Sequence, residues 1–141
     1  IAPSLAAGKW VICDRFADST RVYQGLTGGV EEGLIDALEA LALNGHVPDL
    51  TIILDMDPEN AFERVRRRAM EDGMPALADR FEKEDLDFHR RLRAGFLAIA
   101  AKNPDRCVVL SADMDEDALA EEIWRVVRER FPELETEDQP A

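Results

Sequence analysis

The chain has 141 residues, 46% apolar and 33% charged, which is enough for one hydrophobic core and too little for two ordinary domains. Its 30 acidic and 17 basic residues give a net charge of −13, which argues against a nucleic-acid partner because phosphate-backbone binding needs a large basic surface. No apolar run approaches the length of a membrane span, and the first residues lack the regions of a signal peptide. We therefore expect a cytoplasmic protein without a membrane partner.

The chain contains two cysteines, Cys13 and Cys107. Both lie within apolar, strand-like runs, and the sequence has no zinc-ligand spacing of Cys and His. We therefore expect two buried, reduced thiols and neither a disulfide nor a metal site built on them.

The first predicted elements are a strand and a helix. Residues 10–13 form a short apolar run typical of a buried strand. Leucines at helical spacing then predict a helix, at Leu34, Leu38 and Leu41. This helix should end near Asn44, because Gly45 beyond it tolerates the positive φ of a helix C-terminus.

A second strand and a second helix follow. Residues 50–55 are a continuous apolar run of strand length, and Asp57 followed by Pro58 predicts the N-cap and first position of a helix. The apolar side of this helix comprises Phe62, Val65 and Ala69. Another face carries three arginines, Arg64, Arg67 and Arg68.

The remaining residues predict a loop, a long helix, a third strand and a last helix. Residues 70–78 have no sustained period and contain Gly and Pro, which indicates a loop. The apolar positions of the long helix are Phe88, Leu92, Gly95, Phe96 and Ile99. That pattern ends at residues 103–104, and residues 107–110 form the third strand. Asp115 should cap the last helix, which ends before a frayed acidic tail at residues 132–141.

Strands that alternate with helices of these lengths need right-handed parallel crossovers, so the expected fold is α/β with a doubly wound parallel sheet. Ligands bind such sheets at the carboxyl ends of the strands. The segment at residues 14–24 follows the first strand at this edge and provides an acid, a guanidinium, hydroxyls, a phenol and an amide. These groups belong to Asp14, Arg15, Ser19, Thr20, Tyr23 and Gln24. They suit a small ligand that carries phosphate, sugar and base.

The segment at residues 14–24 resembles the D-R-[YFH]-x-x-S-x-x-A-Y-Q motif of thymidylate kinases. The resemblance extends from Gly8 to about Phe131, through residues 48–51, a basic lid region and residues 79–82. It implies a P-loop kinase fold whose five-stranded parallel sheet has three strands in this chain. It also implies a homodimer that transfers the γ-phosphoryl group of ATP to dTMP with Mg²⁺. Residues 1–131 would form part of one kinase domain, with the lid at about residues 66–80.

The resemblance assigns roles within the segment at residues 14–24. Asp14 would orient the acceptor phosphate and act on Mg²⁺ through water, and Arg15 would bridge the donor and acceptor phosphates. Tyr23 would lie against the sugar and disfavour a 2′-hydroxyl. The residues placed near the thymine are Ser19, Thr20 and Gln24. Structural interpretations stay open: a turn or N-cap for Asp14, a surface ion pair for Arg15 and a core aromatic for Tyr23.

In the lid region, the resemblance implies that Arg67 and Arg68 are catalytic and bind ATP, with Arg80 a further ATP-binding candidate. The alternative for the arginines is a solvated helix face. The positions implied to approach the monophosphate and sugar are Asp79, Phe81 and Glu82. Some relatives have tyrosine where this chain has Phe81, so no hydroxyl contact carries over there.

Five other polar residues receive no role in the site. Asp18 is expected to cap a helix or face solvent, and Arg21 to be solvated. Asp55, at the end of the second strand, has a structural interpretation. The two histidines, His46 and His89, have no nucleophile or metal cluster beside them in the sequence and are expected in a turn or on a helix surface.

A phosphate-binding P-loop is missing from the sequence. The only Gly-Lys pair is Gly8-Lys9, with Pro3 in place of the first glycine of the motif and Trp10 in place of its serine or threonine. The resemblance therefore implies the C-terminal two-thirds of an enzyme, without its first two strands and P-loop. We expect the chain alone to be inactive and to form no stable native monomer.

Three functions remain open from the sequence. The favoured one is dTMP kinase in the intact protein. A second is another P-loop kinase of small molecules, such as a deoxynucleoside kinase. The third is a non-catalytic nucleotide-binding or assembly module, which the missing P-loop suggests.

Overall fold

The computed structural model of the chain describes residues 1–73 and 86–135. The chain divides into two compact units, the first comprising Ile1–Asp49 and the second beginning at Leu50. Within the described residues, no helix combines the length and the apolar character needed to cross a lipid bilayer. The assignment of residues 1–131 to one domain stays a prediction.

The first unit is helical. Its elements are helix α1 (Ala2–Ala6), helix α2 (Ala17–Thr20), a π-helical turn (Arg21–Leu26) that continues α2 directly, and helix α3 (Glu32–Leu43). Helix α3 ends as predicted, because Asn44 has a left-handed backbone with φ of 46° and Gly45 a φ of 82°. His46 follows in the turn, where its N–H donates to the carbonyl of Leu43.

The predicted strand at residues 10–13 is wrong. These residues are irregular, and Trp10 and Ile12 are 55% and 94% exposed. A strand depends on hydrogen bonds to a neighbouring strand, and residues 1–49 contain no strand with which residues 10–13 could pair. For the same reason Cys13 is exposed, which corrects its predicted burial, whereas Cys107 is buried as predicted; both cysteines are in the reduced form.

Helix α3 is buried at Ile35 and not at the leucines whose spacing predicts the helix. The leucines of the apolar pattern, Leu34, Leu38 and Leu41, are all more than half exposed. Ile35, one position later than Leu34, is buried and lies against the π-helical turn. The periodicity therefore predicts the helix correctly, but which apolar residues are buried depends on what packs against the helix.

The π-helical turn is held by contacts that leave no room for larger residues. The hydroxyl of Thr27 donates to the carbonyls of Val22 and Tyr23, at 3.1 and 2.9 Å. A Cβ atom at Gly28 would lie 2.6 Å from the carbonyl oxygen of Gln24 and 2.8 Å from that of Tyr23. Val22, which is part of the turn, is fully buried. A wider π-type turn is uncommon and often marks a functional site.

Where the structure describes the second unit, at residues 50–73 and 86–135, it shows two parallel strands and three helices. Its elements are strand β1 (Thr51–Asp55), helix α4 (Pro58–Glu71), helix α5 (Leu86–Lys102), strand β2 (Cys107–Ser111), helix α6 (Glu116–Arg130) and a 3₁₀ turn (Pro132–Glu135). Thr51 pairs with Cys107 and Asp55 with Ser111, in continuous parallel register. The parallel α/β arrangement is thus confirmed. The described residues form two of the three predicted strands.

Helix boundaries in the second unit largely follow the predicted caps. The Asp57 carboxylate accepts a hydrogen bond from the N–H of Glu59 at 3.1 Å, and that of Asp115 accepts from the N–H of Ala118 at 2.9 Å. Helix α4 extends to Glu71, so the loop predicted from residue 70 begins later; its residues 74–78 lie outside the described ranges. The predicted frayed tail begins with the 3₁₀ turn.

The core of the second unit forms where the helices cover the two strands. Helix α5 packs against both strands and against α4, and α6 packs against β2. The principal buried side chains are Ile53, Leu92, Ile99, Leu110 and Val126. His89 lies partly buried, with its ring edge-to-face against Phe62 of α4 at a centroid distance of 5.1 Å. It therefore contributes to helix packing, beyond the surface position expected for it.

Gly28→Ala should destabilise the first unit by about 1–3 kcal/mol, because the new Cβ would overlap two backbone oxygens that cannot rotate away. Gly33→Ala is the matched control. The Cβ at Gly33 would have no neighbour closer than 3.8 Å, and alanine favours the helix by about 0.5–1 kcal/mol. Thermal unfolding of both variants, each made in the intact protein and followed by circular dichroism, measures the difference. Equal midpoints for the two variants would show that the close approach at Gly28 does not constrain the turn.

Candidate active site

The six candidate side chains of residues 14–24 lie along one continuous stretch of the first unit. Asp14 and Arg15 occupy an exposed bend before helix α2. On α2, Ser19 is partly buried and Thr20 is exposed. Tyr23, partly buried, and Gln24, exposed, follow on the π-helical turn. Their exposure leaves the polar groups accessible to a ligand.

Arg15 and Tyr23 are brought into direct contact. The guanidinium carbon of Arg15 lies 4.6 Å from the centroid of the Tyr23 ring, within the range of a cation–π interaction. Arg15 also has a φ of 60°, a left-handed conformation that is uncommon for residues other than glycine. Backbone strain of this kind is concentrated at functional sites.

Two neighbouring residues differ from expectation. Asp18 is buried, one helical turn before the fully buried Val22, and so does not face solvent. Arg21 is ion-paired with Asp36 at 2.7 Å and Glu39 at 2.6 Å, which attaches the π-helical turn to helix α3. Burial alone would lower the pKa of Arg21, but its hydrogen bonds to the two carboxylates outweigh burial and raise the pKa.

In the second unit, a cavity of about 700 Å³ lies between helix α4 and the loop at residues 112–116. It contains the three arginines predicted on one face of α4, Arg64, Arg67 and Arg68. The opposite wall is acidic, with Asp113, Asp115 and Glu116. The volume is in the range of small-molecule sites, and the predicted proximity of the arginines is present in the structure.

The three arginines of the cavity have different partners. Arg64 donates to the carbonyl oxygen of Ala112 at 3.1 Å, and Arg68 donates to the Glu116 carboxylate at 2.9 Å. Arg67 forms no hydrogen bond or ion pair within residues 1–73 and 86–135. Of these three cations, Arg67 is therefore the one available to an anionic ligand without breaking a contact between described residues.

An arginine that sequence reasoning missed joins the end of strand β1 to helix α4. Arg93 of α5 donates through Nε and Nη2 to both carboxylate oxygens of Asp55, at 2.7 and 2.9 Å. Its Nη1 donates to Asp57 at 2.9 Å. One turn earlier, Arg90 pairs with Glu59 in the first turn of α4. The sequence pattern that could have predicted these ion pairs is the spacing of Arg90 and Arg93, three residues apart on one helix, together with the acidic residues within 55–59.

The Arg93 contacts alter the chemistry of the capping carboxylate. Hydrogen bonding with Glu59 and the positive charge of Arg93 hold the pKa of Asp57 below its ordinary value of 3.8. Asp57 therefore stays ionised as the N-cap of α4 at neutral pH. The two-pronged contact with Asp55 supports the structural interpretation of that residue.

Four predicted site residues lie outside the described ranges: Asp79, Arg80, Phe81 and Glu82. The predicted lid region is described only as far as residue 73, and residues 66–71 belong to helix α4.

The role of Asp14 toward Mg²⁺ through water stays a prediction. Within residues 1–73 and 86–135 no group of three or more acids, histidines or cysteines is arranged to hold a metal ion. Mg²⁺ retains several waters and is commonly held by one or two carboxylates together with substrate phosphates. The exposed carboxylate of Asp14 suits such an arrangement.

Comparisons with known proteins agree on one family. The family model described as thymidylate kinase matches residues 1–123. The curated thymidylate kinases of Nitrobacter winogradskyi and Jannaschia sp. are each 49% identical to the chain, over 92% and 94% of its length. The chain covers 55% and 61% of those relatives, and so spans little more than half their length.

A solved structure gives the same result. The thymidylate kinase from Ehrlichia chaffeensis superposes with a TM-score of 0.65 at 33% identity, over 89% of this chain and 56% of that one. The fold is therefore the α/β P-loop kinase type, of which the chain represents a part. The chain belongs to the thymidylate kinase family.

Arg93→Gln should lower the thermal midpoint by about 2–4 °C at neutral pH, because it leaves two carboxylates without their shared cation. A lowered pKa means that Asp57 stabilises the fold above pH 3.8 and that this stability is lost as the pH falls through the folded-state pKa. The difference between the wild type and Arg93→Gln should therefore shrink as the pH falls below 3.8. Unfolding curves of the intact protein between pH 2 and 7 test this.

Arg128→Gln is the charge-matched control, because Arg128 has no ion pair among the described residues. Its guanidinium lies over the ring of Trp124. A difference between the wild type and Arg93→Gln that stayed constant with pH, or matched that of Arg128→Gln, would contradict the electrostatic role of Arg93.

Proposed function

We propose that the protein containing this chain transfers the γ-phosphoryl group of ATP to the 5′-phosphate of dTMP, giving dTDP. The observation that supports this most directly is the exposed, left-handed Arg15, held over Tyr23 on a segment that matches the family motif. A phosphoryl-transfer site needs fixed cations and correct orientation more than covalent chemistry. The first unit offers such a cation on a constrained backbone.

Arg15 and Asp14 would act on the phosphates. The planar guanidinium of Arg15 can donate to two anionic oxygens at once, which suits a bridge between donor and acceptor phosphates. Asp14 would accept hydrogen bonds from water bound to Mg²⁺ and so fix the position of the acceptor. When bound, Mg²⁺ supplies positive charge that neutralises the phosphates.

The neighbouring side chains would select the nucleoside. Ser19, Thr20 and Gln24 offer two hydroxyls and an amide that can pair with the polar edge of thymine. A site built to pair with such groups rejects analogues that lack them. The Tyr23 ring would lie against the deoxyribose.

The cavity beside helix α4 would receive the donor nucleotide. Arg67 would contact the phosphates of this nucleotide, because the other two arginines of the cavity already donate hydrogen bonds to residues 112–116. On this proposal, Arg68 would exchange its contact with Glu116 for ATP. Arg80 is the remaining ATP-binding candidate, and Asp79, Phe81 and Glu82 are assigned to the acceptor.

The active protein would need a phosphate-binding loop in addition to the residues of this chain. The sequence of this chain has no glycine-rich loop to hold the β- and γ-phosphates, so we assign that loop to a part of the protein N-terminal to the chain. The active form would be a cytoplasmic homodimer. The chain by itself would lack activity.

Arg15→Ala in the intact protein should reduce turnover by about 10³-fold or more, because arginines that neutralise the transition state contribute roughly 10³–10⁵. A coupled assay of ADP release with dTMP and ATP measures this. Thymidine in place of dTMP distinguishes the proposal from a deoxynucleoside kinase, which would need no 5′-phosphate. An unchanged rate in Arg15→Ala would contradict a catalytic role for Arg15. Phosphorylation of thymidine would contradict the assignment of dTMP as the substrate.

Replacing Arg67 and Arg68 together with alanine should raise the KM for ATP or lower kcat by about 10-fold or more while changing the KM for dTMP little. Arg66→Ala is the matched control, since Arg66 lies on the same helix but does not line the cavity. Steady-state kinetics with each substrate varied in turn provide the measurement. A loss confined to dTMP affinity would refute the assignment of the cavity to ATP.

A further inference from the structure

The contact between Arg15 and Tyr23 joins two ends of the segment at residues 14–24. Arg15 lies in the bend before helix α2, and Tyr23 lies on the turn that follows it, eight residues later in the sequence. The guanidinium is exposed apart from this contact, with its carbon 4.6 Å from the ring centroid. An exposed arginine without such a contact would sample many rotamers.

Both ends of the contact have a constrained backbone. Arg15 begins from a left-handed φ of 60°, which persists only where the surrounding structure holds it. Tyr23 is held by its carbonyl oxygen, which accepts the Thr27 hydroxyl at 2.9 Å and lies close to Gly28. The backbone of Tyr23 is therefore held in place, its side chain is partly buried, and the exposed Arg15 side chain is the partner with more freedom.

We propose that Tyr23 is a positioning residue for Arg15, and that its ring face holds the guanidinium in place before the substrates bind. This rests on the proposed role of Arg15 in phosphoryl transfer. A cation placed in advance does not lose its rotamer freedom during the reaction, so the contact increases kcat. This role is separate from any contact between Tyr23 and the sugar, which would affect the KM for dTMP and the discrimination against ribose.

A double-mutant cycle in the intact protein separates the two roles of Tyr23. With Arg15 present, Tyr23→Leu should lower kcat by about 3- to 10-fold, because it removes the ring face that attracts the cation. In the Arg15→Ala background the same substitution should change kcat by less than about 2-fold. Tyr23→Phe retains the ring face and should recover several-fold of the kcat lost in Tyr23→Leu. Equal factors in both backgrounds would overturn the proposal.

A second measurement tests the contact without activity. In protein labelled with ¹³C-tyrosine, the Tyr23 ring signals are identified by their loss in Tyr23→Phe. Arg15→Gln should shift these signals. Lys9→Gln, which removes the same charge from an exposed position of the same unit, should not shift them.

The two measurements distinguish failure of the inference from failure of the proposed function. Signals that respond equally to Arg15→Gln and Lys9→Gln would show that the contact does not form, and would overturn the inference whatever the activity. An intact wild-type protein that does not phosphorylate dTMP, with signals that respond to Arg15→Gln alone, would instead overturn the proposed function and leave the contact established.

Discussion

The second unit depends on one guanidinium placed among carboxylates. Arg93 of helix α5 contacts two carboxylates more than 30 residues earlier in the sequence: Asp55, which ends strand β1, and Asp57, which caps the start of helix α4. The planar, five-donor guanidinium suits this geometry, and a lysine could not make the same three contacts in one plane. The contact joins the start of α4, the helix that carries the cavity arginines, to the end of strand β1.

The first unit is held together by different contacts. Its few contacts are close approaches of backbone, at Gly28 above all, together with the ion pairs of Arg21 to helix α3. The α2 helix has four residues and would not be stable alone, since short helices in water lack the hydrogen bonds to offset their nucleation. The segment at residues 14–24 is therefore specified by packing against neighbouring elements.

Features that depend on local chemistry could be predicted from the sequence. Asp57, Asp115 and the Asn44–Gly45 pair mark helix ends through interactions within a few residues, and each has that role in the structure. The strand at residues 10–13 was predicted wrongly, and the leucines of α3 predict the helix but not its buried face, because apolar character does not identify the surface that will cover a residue. The Arg93 and Arg21 contacts join positions up to 38 residues apart, a separation that no local pattern encodes. The contact between Arg15 and Tyr23 likewise could not be predicted from their spacing in the sequence, although the resemblance assigned both residues to the site.

The different environments of the two cysteines have a practical consequence. Cys107 is enclosed within strand β2, whereas the Cys13 thiol is exposed directly beside Asp14 and Arg15. Within this chain, a maleimide or iodoacetamide reagent would therefore modify one position under native conditions, since buried thiols react slowly. A fluorophore attached there would lie next to the side chains assigned to the phosphates. Its emission could then report on nucleotide binding by an inactive variant, for which no turnover can be followed.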